Sequence, residues 1–85
     1  MNIELEIKRI IYSVLIDPVD PESISDDANL ENDLGLDSIG FVSIIVDIEE
    51  KFNIRFHEDL FANYEMEKLD VLVSQTKKLI GEKNG

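Results

Sequence analysis

The chain contains no cysteine and no tryptophan, only two prolines and four glycines among its 85 residues, and a single histidine. Without cysteine there is no disulfide framework, no thiolate nucleophile and no sulfur ligand for a metal. Positive charge is scarce as well: eight Lys and Arg face nineteen Asp and Glu, for a formal net charge of −11. A nucleic-acid partner is therefore excluded, because neutralising phosphates needs a basic face. No apolar run approaches the ~18 residues of a membrane span, and Met1–Arg9 lacks the basic-then-apolar order of a secretion signal. Apolar residues still make up 44% of the chain, too many for a charged disordered segment and enough for one small core. The expectation is one small, acidic, monomeric domain over residues 1–85, working in the cytoplasm.

The charge is unevenly spread. No Lys or Arg lies between Ile10 and Glu50, whereas Asp17, Asp20, Glu22, Asp26, Asp27, Glu31, Asp33, Asp37, Asp47, Glu49 and Glu50 all do. A field of one sign steers partners that carry basic patches, and it also keeps a small protein soluble. Periodicity points to helices. Ile3, Ile7, Ile10, Ile11, Val14 and Leu15 form an amphipathic stripe that Asp17-Pro18 should stop. Asp17 to Asp37 reads as a long loop with anchors at Ile24, Leu30 and Leu34, and loops of that length in a small domain are usually functional. A second helix is expected from Asp37-Ser38 to about Phe52. A last one follows the stripe Leu69, Leu72, Val73, Thr76, Leu79, Ile80, with Gly81 as its C-cap. Between them a short turn, Phe56 to Tyr64, should supply Leu60 and Phe61 to the core. The fold class is all-α: a small bundle of three main helices and one short helix, third in order.

The second helix is apolar on two sides. At ~100° per residue, Phe41, Ile44, Ile45, Ile48 and Phe52 share one face, and Ile39, Val42 and Val46 fall opposite, near Ser43, Glu49 and Glu50. The first group is core. The second is either covered by the loop or another helix, or it is an exposed apolar strip with an acidic rim, the pattern of a docking surface.

Ser38, at the junction of loop and helix, has two readings. Ser and Asp are common N-caps, and capping is the stronger reading on residue type alone. A hydroxyl at a helix N-terminus is also where the helix dipole favours an attached phosphate, and Asp37 beside it could hold a divalent cation that delivers the donor. Self-contained hydrolysis fails: Leu36 and Gly40 flank Ser38 where a nucleophile elbow needs glycine on both sides, and His57 reads as a solvated or capping residue. Asp27, Asn29 and Glu31 alternate as in a calcium loop, but Asn32 and Ser38 stand where that loop needs Gly and Glu. No metal site is expected.

The run Asp33-Leu34-Gly35-Leu36-Asp37-Ser38-Ile39 closely resembles the modification site of acyl and peptidyl carrier proteins, D-x-G-x-D-S-[LIM]. Ile48-Glu49-Glu50-Lys51-Phe52-Asn53-Ile54 is similar to the family's LEEEFGI ending, and the resemblance covers essentially the whole chain. It implies a free-standing carrier, not an enzyme, whose Ser38, supported by Asp37, receives 4'-phosphopantetheine from coenzyme A through a phosphopantetheinyl transferase. Acyl intermediates would ride as thioesters, supplied by a loading ligase or acyltransferase and passed to acyl-processing enzymes of fatty acid, polyketide or related pathways. Phe41, Ile44, Ile45 and Ile48 would line an acyl space, while Ile39, Val42, Val46, Glu49 and Glu50 would form the partner-docking face. Fatty-acid carriers have acids two and five residues after the serine; here those positions are Gly40 and Ser43. The departure points to a specialised carrier. Asp37-Ser38-Ile39-Gly40 is also similar to D-alanyl carriers loaded by an adenylating ligase, and a non-covalent acidic helical adaptor is the reading from outside the family.

Overall fold

A computed structural model describes residues 2–15 and 24–84. Four helices follow in order: α1 (Ile3–Val14), α2 (Ser38–Phe52), α3 (Glu58–Asn63) and α4 (Leu69–Asn84). Asn2 caps α1, its side-chain oxygen accepting from the Leu5 N–H at 3.1 Å, and Glu4 and Glu6 complement the helix dipole in the first turn. The stripe then buries Ile7 and Ile11 completely. Leu15 leaves helical geometry, so α1 stops after Val14; Asp17 and Pro18, expected to stop it, lie outside the described residues, as do Asp20 and Glu22.

The stretch from Ile24 to Asp37 is irregular but firmly held. Ile24, Ala28, Leu30 and Leu36 are buried, and Leu34 packs half-buried against them. Its backbone is tied to the start of α4: the Leu30 N–H donates to the Glu67 carbonyl at 2.8 Å, and the Leu69 N–H donates to the Ala28 carbonyl at 2.9 Å. Asn29 Oδ1 accepts from the N–H groups of Glu31 and Asn32, while Asp33 Oδ2 accepts from the Asn29 N–H. The alternating polar residues thus satisfy the loop's own backbone. Gly35 takes a left-handed φ of 69°, which frees the chain to turn toward α2.

A further tie was not foreseen. Lys8 of α1 is buried, and its ammonium meets Asp26 Oδ1 at 2.8 Å and Glu4 Oε1 at 3.3 Å. The Asp26 carboxylate raises the Lys8 pKa, and Lys8 in turn lowers that of Asp26.

Two expectations need correction. Gly81 is not a C-cap: α4 continues through it to Asn84, and among the described glycines only Gly35 has the positive φ that such a cap requires. Phe61 does not enter the core. It is 41% exposed, lying edge-on to Phe41 at 6.2 Å between ring centres and to Phe56 at 6.3 Å. On α3 it is Leu60 that packs against the core, and Phe61, ~100° further round, stays at the edge. No described helix is long and apolar enough to cross a membrane.

Candidate functional site

The loop delivers the chain to α2 through Leu36, which is buried, and Asp37, which is extended. Asp37 is the N-cap. Its Oδ1 accepts from the Gly40 N–H at 2.7 Å, and its carbonyl accepts from the Phe41 N–H at 2.9 Å. Ser38 is the first residue of the helix proper, exposed, and has no part in the cap. The expectation that Ser38 itself caps α2 is thereby corrected: two cap-type residues stand side by side, and the first does the work. The serine is left as a solvent-facing hydroxyl at the positive end of a fifteen-residue helix, a position that favours an attached phosphate. Among the described residues no group of His, Cys, Asp or Glu side chains is placed to hold a metal ion. His57 sits at the N-cap position of α3, exposed and making no side-chain cap bond.

Further along α2 the two faces separate as the spacing predicts. Ile44, Ile45 and Ile48 are buried in the core, and Phe41 and Phe52 pack half-buried at its edge. Ile39, Val42 and Val46 are 77%, 57% and 42% exposed, so the second apolar set is an open strip and not a covered one. The acids beside it differ. Glu50 is exposed, whereas Glu49 is half-buried with its Oε2 accepting from the Phe56 N–H at 2.8 Å. Glu49 therefore braces the turn after α2. Where the strip ends, Val46, Ile54 and Arg55 border an open hollow of about 340 Å³, and no pattern in the sequence marks Arg55 for that place. A second hollow, about 250 Å³, adjoins the α2 N-terminus between Leu15, Leu34, Leu36 and Gly40.

An exposed serine at a helix N-terminus, with no described general base bonded to it, is suited to being modified and not to catalysing. Comparison with known proteins shows which family the chain belongs to. Residues 7–67 match the family model described as the phosphopantetheine attachment site. The acyl carrier protein of Buchnera aphidicola subsp. Acyrthosiphon pisum (strain Tuc7) is 36% identical over 83 residues, covering 98% of this chain and 94% of that one. The chain belongs to the acyl carrier protein family. The acyl carrier protein of Desulforapulum autotrophicum is 39% identical over 59 residues, 69% of this chain and 75% of its own. The present acyl carrier is accordingly a carrier and not an enzyme, and its cofactor is 4'-phosphopantetheine, held covalently and drawn from coenzyme A. The residues fit that group: a free hydroxyl, a helix dipole oriented toward a phosphate, and open space beside it. A cysteine-free carrier thus handles thioesters with an imported sulfur.

Proposed function

We propose that Ser38 is the attachment point, and that this carrier serves a specialised acyl pathway. The observation that carries the first part is the division of labour at the α2 N-terminus: Asp37 holds the cap, so Ser38 Oγ is available to a transferase. Ser38 Oγ would bond the phosphorus of the phosphopantetheine half of coenzyme A. The bond to the nucleotide half breaks, and the hydroxyl proton passes to the transferase. Asp37 supports this step through its cap, which fixes the first turn, and through a carboxylate able to attract the transferase's cation.

The second part rests on the docking strip. Ile39, Val42 and Val46 supply its dry centre and Glu50 its acidic rim, while Glu49 contributes mainly by holding the turn that ends the strip. Gly40 and Ser43 leave the first half of α2 without the acids that basic enzymes of fatty acid synthesis grip. Phosphopantetheinyl transferase, a loading ligase or acyltransferase, and acyl-processing enzymes with more apolar contact faces are the partners this surface fits. D-alanyl or other aminoacyl loading remains the competing cargo assignment within the same mechanism. Peptide mapping after treatment with coenzyme A and a broad-specificity transferase tests the attachment point. The added mass should fall on Ser38; its appearance on Ser43, the other serine of α2, would overturn the assignment.

A further inference from the structure

Arg55 breaks the charge pattern of the surface on which it stands. It borders the hollow at the end of the strip together with Val46, Glu49, Glu50, Asn53 and Ile54, and it is that hollow's one cation in a chain of formal net charge −11. We propose that Arg55 selects the partner enzyme by charge. An accepted partner sets a carboxylate side chain on the guanidinium, and an enzyme that brings a lysine or arginine to this place is repelled. The inference rests on the reading of Ile39, Val42 and Val46 as the docking strip.

The turn after α2 holds Arg55 in position. Asn53, the C-cap, has a left-handed φ of 54°, so the chain changes direction at the helix end. The Ile54 N–H donates to the Glu49 carbonyl at 3.1 Å, and the Phe56 N–H donates to Glu49 Oε2 at 2.8 Å. Ile54 and Phe56 are buried, and Arg55 between them is exposed. The backbone of Arg55 is thus anchored on both sides while its side chain faces outward, which lowers the entropy lost when a partner meets it.

The charge of Arg55 is also unspent. Among the described residues it forms no ion pair, whereas Lys8, Arg9, Lys51 and Lys68 each do. Lys51, the other cation near the end of α2, turns toward α1 and meets Glu6 at 3.0 Å. Glu49 is committed to the Phe56 N–H, and Glu50 lines the hollow without pairing to Arg55. A free guanidinium presents a planar fork of donors that matches a carboxylate. Val46 belongs to the strip and to the hollow, so Arg55 continues the docking face and has an apolar contact beside it to exclude water from the pair.

The test measures kcat/KM of a housekeeping fatty-acid ketosynthase, the basic-patched probe, with the acyl-loaded carrier. Wild type is compared with Arg55→Glu, Arg55→Gln and the double variant Val42→Ser/Val46→Ser, each confirmed loaded by intact mass and folded by circular dichroism. A second set of ketosynthases carries one docking-patch Lys or Arg at a time changed to Glu. Against the unchanged enzyme at low salt, Arg55→Glu should raise kcat/KM roughly three- to tenfold and Arg55→Gln by less. The gap should close in about 0.5 M salt, where exposed charges are screened. Against one of the Glu-bearing enzymes the order should reverse, with wild type ahead of Arg55→Glu. A gain that no Glu-bearing enzyme reverses would reduce Arg55 to a contribution to net charge and overturn the pairing. Wild type and Arg55→Glu within about twofold of each other against every enzyme would overturn the inference outright. In either case a loss of kcat/KM in Val42→Ser/Val46→Ser would leave the docking strip standing. An unchanged value in that double variant would sink the strip, and this inference with it.

Discussion

Asp37 and Ser38 are adjacent residues of the same capping class, yet they should respond to alanine substitution in opposite ways. Asp37 Oδ1 accepts the Gly40 N–H at 2.7 Å, one of the donors a helix start leaves without an intrahelical partner. Removing it in Asp37→Ala strands that donor at an exposed site, where water replaces the bond in part, so the loss should be about 1 kcal/mol, within the usual range for a lost cap. For a domain of this size that is roughly a 4–8 °C drop in Tm. In urea, with a slope of ~1–3 kcal/mol per molar, the midpoint should fall by several tenths of a molar or more. Ser38→Ala removes a hydroxyl that is solvent-facing and outside the cap, and alanine is a better helix former, so its stability should change by less than about 0.5 kcal/mol. Asp37→Asn keeps an accepting oxygen and should stay close to wild type. Urea melts of the three variants by circular dichroism decide the matter. A Ser38→Ala loss equal to that of Asp37→Ala would refute the claim that the serine is free of structural duty.

Glu49 and Glu50 should separate in the same manner. Glu49→Ala breaks the 2.8 Å bond to the Phe56 N–H and should cost about 1 kcal/mol in urea melts, against less than about 0.5 for Glu50→Ala; equal losses would count against the bracing role. The tie between Lys8 and Asp26 predicts two pH limits. The folded-state pKa of Asp26 is depressed by Lys8, so its contribution is present above the ordinary carboxylate range and is lost as pH falls through the lowered value. That of Lys8 is raised by Asp26, so its contribution is complete below the ordinary lysine pKa and is lost only as pH rises through the raised value. Lys8→Met should therefore flatten the acid limb of the stability profile, and an unchanged limb would show that the tie contributes nothing. Restoring an acid with Ser43→Glu, an exposed position, should increase turnover by housekeeping fatty-acid enzymes several-fold without changing the urea midpoint; unaltered turnover would detach the specialised reading from this position.

The helices were legible because their apolar residues keep one period, and the two faces of α2 separated on angle alone. What escaped depended on neighbours distant in the chain or on a choice between adjacent residues. Lys8 to Glu4 is a spacing of four that a helix makes visible, but Asp26 joins them only because the loop folds back onto α1. Glu49 stands about 80° from Phe41 around α2 and Glu50 about 180°, so the first borders the core and can reach Phe56 while the second cannot. The sequence does not say that an N–H waits there. Asp37-Ser38 reads as a cap of one residue or the other, since a shift of one register step exchanges their roles. Gly81 resembles a stop signal by identity, but only a left-handed backbone makes it one. The hollow beside Ser38 needs three elements to meet and has no signature in any of them.

The most direct test of the central claim is the intact mass of wild type and Ser38→Ala, side by side, after incubation with coenzyme A, magnesium and a broad-specificity phosphopantetheinyl transferase. Circular dichroism confirms beforehand that both are equally folded. Wild type should gain one phosphopantetheine and the variant none. A gain in the folded variant, or none in a folded and initially unmodified wild type, would contradict the assignment of the arm to Ser38.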